Sequence, residues 1–88
     1  MGLETIEIVL WAEKEFDIDM PNEEVSDIRT IGAFVSYINS KSNIEHGLKA
    51  HSKEIIFEKL RDLLINQYRI PAEWVRPEVE FYKDLGLG

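Results

Sequence analysis

The chain has 88 residues, 44% of them apolar and 31% charged, with a formal net charge of −7 and no cysteine. A chain of this length supports one domain with a thin core, and the lack of cysteine excludes a disulfide framework, a thiolate metal site and a cysteine nucleophile. The charge is uneven: residues 1–40 hold nine acids against Lys14 and Arg29, net −7, whereas residues 41–88 hold eight acids and eight bases. An acidic half repels phosphate backbones, so nucleic acid is disfavoured and a basic protein surface is the natural partner. No apolar run reaches the roughly 20 residues of a membrane helix, and no basic-then-apolar leader pattern opens the chain. No membrane association and a cytoplasmic location are therefore expected.

The first stretch, GLETIEIVLWAEKEFDIDMP, reads as an amphipathic helix over Leu3 to Phe16 that ends before Pro21. Leu3, Ile6, Val9, Leu10 and Phe16 recur at helical spacing and predict the buried stripe, while Glu4, Glu7, Glu13, Glu15, Asp17 and Asp19 make the other face negative. Such a face is most often only solvated; the alternative is a docking face for a basic partner. Proline stops this helix, and a short helical turn is expected near Glu23 to Asp27.

Thr30 can cap the next helix, expected over Ile31 to Asn39, in which Ile31, Phe34, Val35 and Ile38 fall at i, i+3, i+4 and i+7. Gly32 costs this helix stability relative to alanine, which suggests a close approach by another helix or a bulky group beside it, as in core packing. Residues 41–52 are polar and small, with Asn43 and Gly47 as breakers, and read as a flexible linker. His46 and His51 fall in it without an acidic cluster nearby and are expected to be solvated rather than metal ligands. Ser52 can cap a long helix over Lys53 to Tyr68, with Ile56, Leu60, Leu63 and Leu64 as its stripe. Beyond Pro71, Val75, Val79 and Phe81 alternate as in a strand, but Pro77 favours an ordered loop with short turns.

Sites for chemistry are mostly missing. Asp17 and Asp19 stand at the first and third positions of a calcium-loop pattern, but Pro21 takes the fifth and Ile28 the twelfth, where a bidentate glutamate belongs. No nucleophile elbow and no phosphate-cradling glycine loop is present. The chain is not expected to be an enzyme.

Two stretches resemble the acyl carrier protein family, in reversed order. LETIEIVLWAEKEFDIDMPNEEVSDIRTIGAFVSYI, Leu3 to Ile38, resembles the second half of a carrier domain, from just after its modified serine to its last helix. Ile55 to Gly86, with WVRPEVEFYKDLG, resembles the first helix and the long loop that leads to that serine. About seventy residues are covered. The resemblance implies one all-α domain, a small four-helix bundle of acyl-carrier-protein type in circularly permuted order, with 1–40 as the second half, 41–52 as the linker and 53–88 as the first helix and loop. Twelve polar residues span about 20 Å as a coil, enough to join termini that lie close at a surface.

The family carries 4′-phosphopantetheine on a serine between the D-L-G turn and the following leucine. Here Gly2 holds that position, and glycine has no hydroxyl to carry a phosphate. No cofactor is expected on this chain. The resemblance also implies that Glu4, Glu7 and Glu13 contact basic patches of acyl-metabolism enzymes, with Lys14 standing where an acid is frequent. Ile28, Ile31, Phe34 and Val35 would line the interior that shelters an acyl chain, or simply fill a core. Asp84, Leu85 and Gly86 would lie beside Leu3 and Glu4. The function implied is a carrier-like scaffold of fatty-acid, polyketide or related metabolism that cannot be loaded in the ordinary way; a cofactor-free acidic interaction module uses the same helix. A monomer is expected, with a dimer that exchanges halves as the alternative.

Overall fold

A computed structural model describes residues 3–88. Four α-helices, α1 (Leu3–Phe16), α2 (Asn22–Val25), α3 (Ile31–His46) and α4 (Lys53–Tyr68), are joined by short turns that include two 3₁₀ segments, Gly47–Lys49 and Ala72–Trp74. Among the described residues there is no strand, only one antiparallel bridge between Thr30 and Glu80, so the fold is all-α.

The helix ends follow from local chemistry. Thr30 accepts a hydrogen bond from the Ala33 N–H at 3.1 Å and Ser52 one from the Ile55 N–H at 3.3 Å, each satisfying a donor that a helix start leaves without a partner. At the end of α1 the backbone turns left-handed at Asp17 (φ 52°), and Ile18 donates back to the Glu13 carbonyl at 3.2 Å, as in a Schellman closure. Arg69 (φ 57°) is also left-handed after α4, where its own N–H and that of Ile70 both donate to the Leu64 carbonyl.

The core is built from the inward faces of the three long helices and the segment after α4. Ile8, Phe16, Ile31, Phe34, Ile38, Ile56, Leu60 and Leu64 are all buried. Phe34 meets Phe81 edge to face at 5.6 Å. Residues 69–88 form the ordered loop expected from Pro77, and they pack as core through Val75, Val79, Phe81, Leu85 and Leu87. This loop also completes the start of α3: the Ile31 N–H donates to the Val79 carbonyl at 2.9 Å and the Gly32 N–H to the Pro77 carbonyl at 2.7 Å. Gly32 is required there, since a Cβ at that position would stand 2.9 Å from the Pro77 oxygen. The neighbour is thus the loop backbone at Pro77, not the second helix or bulky group expected beside Gly32.

Three expectations need correction. The buried side of α1 is Thr5, Ile8, Val9, Ala12 and Phe16, while Leu3, Ile6 and Leu10 are 73, 44 and 55% exposed. Both rows have helical period; Ala12, fully buried, is small enough to let neighbouring elements approach, and that packing selects the less hydrophobic row.

The second correction concerns residues 41–52. The third helix does not stop at Asn39 but runs to His46, so the expected flexible linker is largely helix followed by a 3₁₀ turn. Its polar residues are held by partners. Ser42 is fully buried and its hydroxyl accepts from the His51 N–H at 3.0 Å. Asn39 donates to the His51 carbonyl at 2.9 Å, and Lys41 pairs with Glu24 at 3.4 Å and with Glu45 at 3.9 Å.

The histidines are the third correction. His46 Nε2 lies 2.6 Å from the Asp17 carbonyl oxygen. His51 packs its ring edge-on against Phe16 at 5.1 Å, with Nδ1 buried and without a hydrogen-bond partner. Both tie the α3–α4 connection to the end of α1 rather than pointing into solvent.

Candidate functional site

The acids assigned to partner binding all lie on α1, and each has a partner within the chain. Glu4 and Gly88 are bonded reciprocally: the Glu4 N–H donates to the Gly88 oxygen at 2.7 Å, and the Gly88 N–H donates to Glu4 Oε1 at 3.2 Å. This has the logic of a capping box, in which an acid early in a helix returns to the backbone N–H of the residue that caps it. Glu7 accepts from the Tyr68 hydroxyl at 3.1 Å. Glu13 accepts from the Met20 N–H at 3.0 Å and so closes the turn after α1. Only Glu7 of the three is exposed; Glu4 and Glu13 are half-buried.

Sequence reasoning missed the apolar part of this face. Leu3, Ile6 and Leu10 form an i, i+3, i+7 row that stays in water, running beside Glu7 and ending near the exposed Lys14. Their hydrophobicity had assigned them inward; only the competing row through Ala12 could have revealed the error. Gly2, the position of the family's attachment serine, lies outside the described residues. At the seam, Gly88 rather than Asp84 to Gly86 makes the backbone contact with α1. Leu85 and Leu87 on either side of Gly86 are buried, and Gly86 has φ 70°, where glycine is at ease.

The residues assigned to an acyl interior divide into two groups. Ile31, Phe34 and Val35 are buried in the common core. Ile28 is half-buried and lines a surface cleft of about 260 Å³ between the start of α1, the α2–α3 turn and residues 80–88. Thr5, Ser26, Arg29, Phe81 and Leu87 are among its other walls.

Two tyrosine–glutamate pairs shape the electrostatics of the helical faces. Tyr37 donates to Glu24 Oε1 at 2.6 Å. That hydrogen bond is the main reason the Glu24 carboxyl is held below its ordinary range, with Lys41 adding to it. Burial, then the hydrogen bond to Glu24, pushes the Tyr37 hydroxyl strongly upward. Tyr68 is raised for the same reasons, burial first and Glu7 next. Both phenols therefore stay neutral donors that hold a carboxylate in place.

Among the described residues no group of three or more histidine, aspartate or glutamate side chains could hold a metal ion, and no helix is long and apolar enough to cross a membrane. No family model matches the chain, and no solved structure matches it.

Proposed function

We propose that the chain is a carrier-like scaffold that presents α1 to basic surfaces of acyl-metabolism enzymes and cannot be loaded with 4′-phosphopantetheine, because Gly2 stands at the attachment position. The observation that carries the reading is the exposed row Leu3, Ile6 and Leu10 beside Glu7 on a helix that otherwise belongs to the core. A hydrophobic strip edged by charge suits a transient partner of opposite sign, the apolar groups supplying contact and the acids steering the encounter. The reciprocal Glu4–Gly88 bonds support the permuted order, since they join the start of α1 to the end of the loop that resembles the family's approach to its serine.

Within this reading the three acids do unequal work. Glu7 is exposed and meets a partner directly. Glu4 and Glu13, half-buried and bonded to backbone N–H groups, contribute long-range field and hold the ends of α1 in shape. Lys14, exposed at the far end, weakens the attraction there and turns recognition toward the first two turns of the helix.

Incubation with a phosphopantetheinyl transferase and coenzyme A, followed by intact mass, separates carriage from docking. The expected mass is unchanged. A gain of one phosphopantetheine would place an attachment serine elsewhere in the chain and overturn the unloaded reading. A cofactor-free interaction module fits the same helix; it is favoured over a carrier descendant if the transferase neither modifies nor binds the chain while an unrelated basic protein does.

A further inference from the structure

Two apolar patches stay in water at opposite ends of α1. One is the Leu3, Ile6 and Leu10 row, whose first turn is tied to the end of the chain by the Glu4–Gly88 bonds. The other is Ile44, on the last turn of α3, with Leu48 in the 3₁₀ turn that follows. Ile44 is 80% exposed and Leu48 fully so, more than any other large hydrophobic side chain among the described residues. The contacts of His46 with Asp17 and of His51 with Phe16 fix this second patch beside the C-terminal end of α1. The 14 residues of α1 set its two ends about 20 Å apart, and within one chain both patches are left uncovered.

Charge distinguishes the two. The α1 row is edged by exposed Glu7 and half-buried Glu4. Residues 41–55, around Ile44 and Leu48, hold Lys41, Lys49 and Lys53 against Glu45 and Glu54, net +1, whereas residues 1–40 carry −7. Lys49 and Lys53 are both exposed.

We propose that a second copy of this chain seats its Ile44 and Leu48 end on the α1 row of the first, with Lys49 and Lys53 toward Glu7 and Glu4. Pairing row with row would set Glu7 against Glu7, and pairing end with end would set lysine against lysine; only the unlike pairing matches apolar to apolar and base to acid. The net charge of −7 on each copy does not prevent it, because at physiological salt charges more than about 8 Å away are largely screened and those bordering the contact decide. Two or three apolar side chains on each surface are far fewer than the roughly 20–30 residues a side of a stable interface. The association is therefore weak, with the dilute chain a monomer. Where the chain is concentrated, a seated copy covers the row assigned above to partner enzymes and competes with them for it. The inference uses that row but does not depend on its assignment to enzymes.

Sedimentation equilibrium of the full chain from about 50 μM to about 2 mM, at fixed physiological ionic strength, spans the weak range in which such a contact is read. The weight-average mass is expected to rise above that of one chain. Leu48→Asp and Leu10→Lys, each at an exposed position, should both weaken self-association at least fivefold by removing an apolar contact and opposing like charges. Ile44→Asp should reproduce Leu48→Asp. Mixed in equal amounts, Leu48→Asp and Leu10→Lys should associate with each other, since the mixture keeps one intact row and one intact lysine end. A parent that stays monomeric throughout, a Leu48→Asp or Leu10→Lys chain that associates like the parent, or variants that do not combine on mixing would each overturn the proposal. Leu48→Asp should leave binding to a phosphopantetheinyl transferase unchanged while Leu10→Lys weakens it, so self-association and the docking reading fail or survive separately.

Discussion

Gly32→Ala is the substitution for which helix propensity and tertiary structure predict opposite signs. In an exposed helix interior, glycine to alanine gains about 1 kcal/mol. Here the new methyl carbon would stand 2.9 Å from the Pro77 oxygen and 3.2 Å from Pro77 Cβ, with a loop backbone on the other side rather than a movable side-chain end. Relief requires Pro77 to retreat, which lengthens the 2.7 Å bond from the Gly32 N–H and strains the neighbouring bond from Ile31 to Val79. Overpacking of this kind costs about 1–3 kcal/mol, and a weakened buried hydrogen bond about 1 kcal/mol more. The propensity gain does not offset the sum, so a net loss of about 1–3 kcal/mol is expected. For a domain of this size each kcal/mol lowers the melting temperature by about 4–8 °C. Urea and thermal unfolding of the variant measure this, with Ser40→Ala, exposed on the same helix, as the control expected to gain a few tenths of a kcal/mol. A Gly32→Ala protein more stable than the parent would refute the close packing of residues 77–79 on α3.

Phe34→Ala should cost about 3–5 kcal/mol by chemical denaturation, since Phe34 is buried and meets Phe81 edge to face; a loss below about 1 kcal/mol would move it to the surface. Arg69→Gly should raise stability by about 0.5–1 kcal/mol, because Arg69 closes α4 at φ 57°, a region that costs side-chain-bearing residues more than glycine; a destabilised variant would show that the side chain contributes more than the strain takes away. Glu24 is depressed below its ordinary value of 4.5 in the fold, chiefly by Tyr37. Its contribution is therefore present above that pH and disappears as pH falls through the lower folded value. Tyr37→Phe should flatten the fall in stability below pH 4.5; an acid limb of unchanged steepness would show that Glu24 is not held by the hydroxyl.

Reading the sequence worked best where local chemistry and tertiary packing agree. The bounds of α4, the Thr30 and Ser52 caps and the inward stripe of α3 follow from a capping hydroxyl ahead of an apolar period, and the structure has each of them. It was misleading on α1, where Leu3, Ile6 and Leu10 out-score Thr5, Ile8 and Ala12 in hydrophobicity, but only the second row offers the small side chain that close packing uses. It was also misleading at 41–46, where polar residues suggested a coil. There Lys41, Ser42 and His46 find partners on other elements, namely Glu24, the His51 backbone and the Asp17 carbonyl, that no local pattern displays. The cleft was half legible: Ile28 was singled out, but Phe81 and Leu87 lie 52 and 58 residues beyond its neighbour Arg29 in sequence, brought together by the antiparallel bridge between Thr30 and Glu80.

The central functional claim is that α1 docks through Leu3, Ile6, Leu10 and Glu7. Amide NMR of the labelled chain titrated with a phosphopantetheinyl transferase tests it most directly. The predicted result is salt-sensitive shifts and broadening concentrated on the first two turns of α1, with Leu10→Lys or Glu7→Lys weakening the interaction at least tenfold, about 1.4 kcal/mol. Absence of binding at low salt, or shifts confined to α4 and the α3–α4 turn, would contradict the claim.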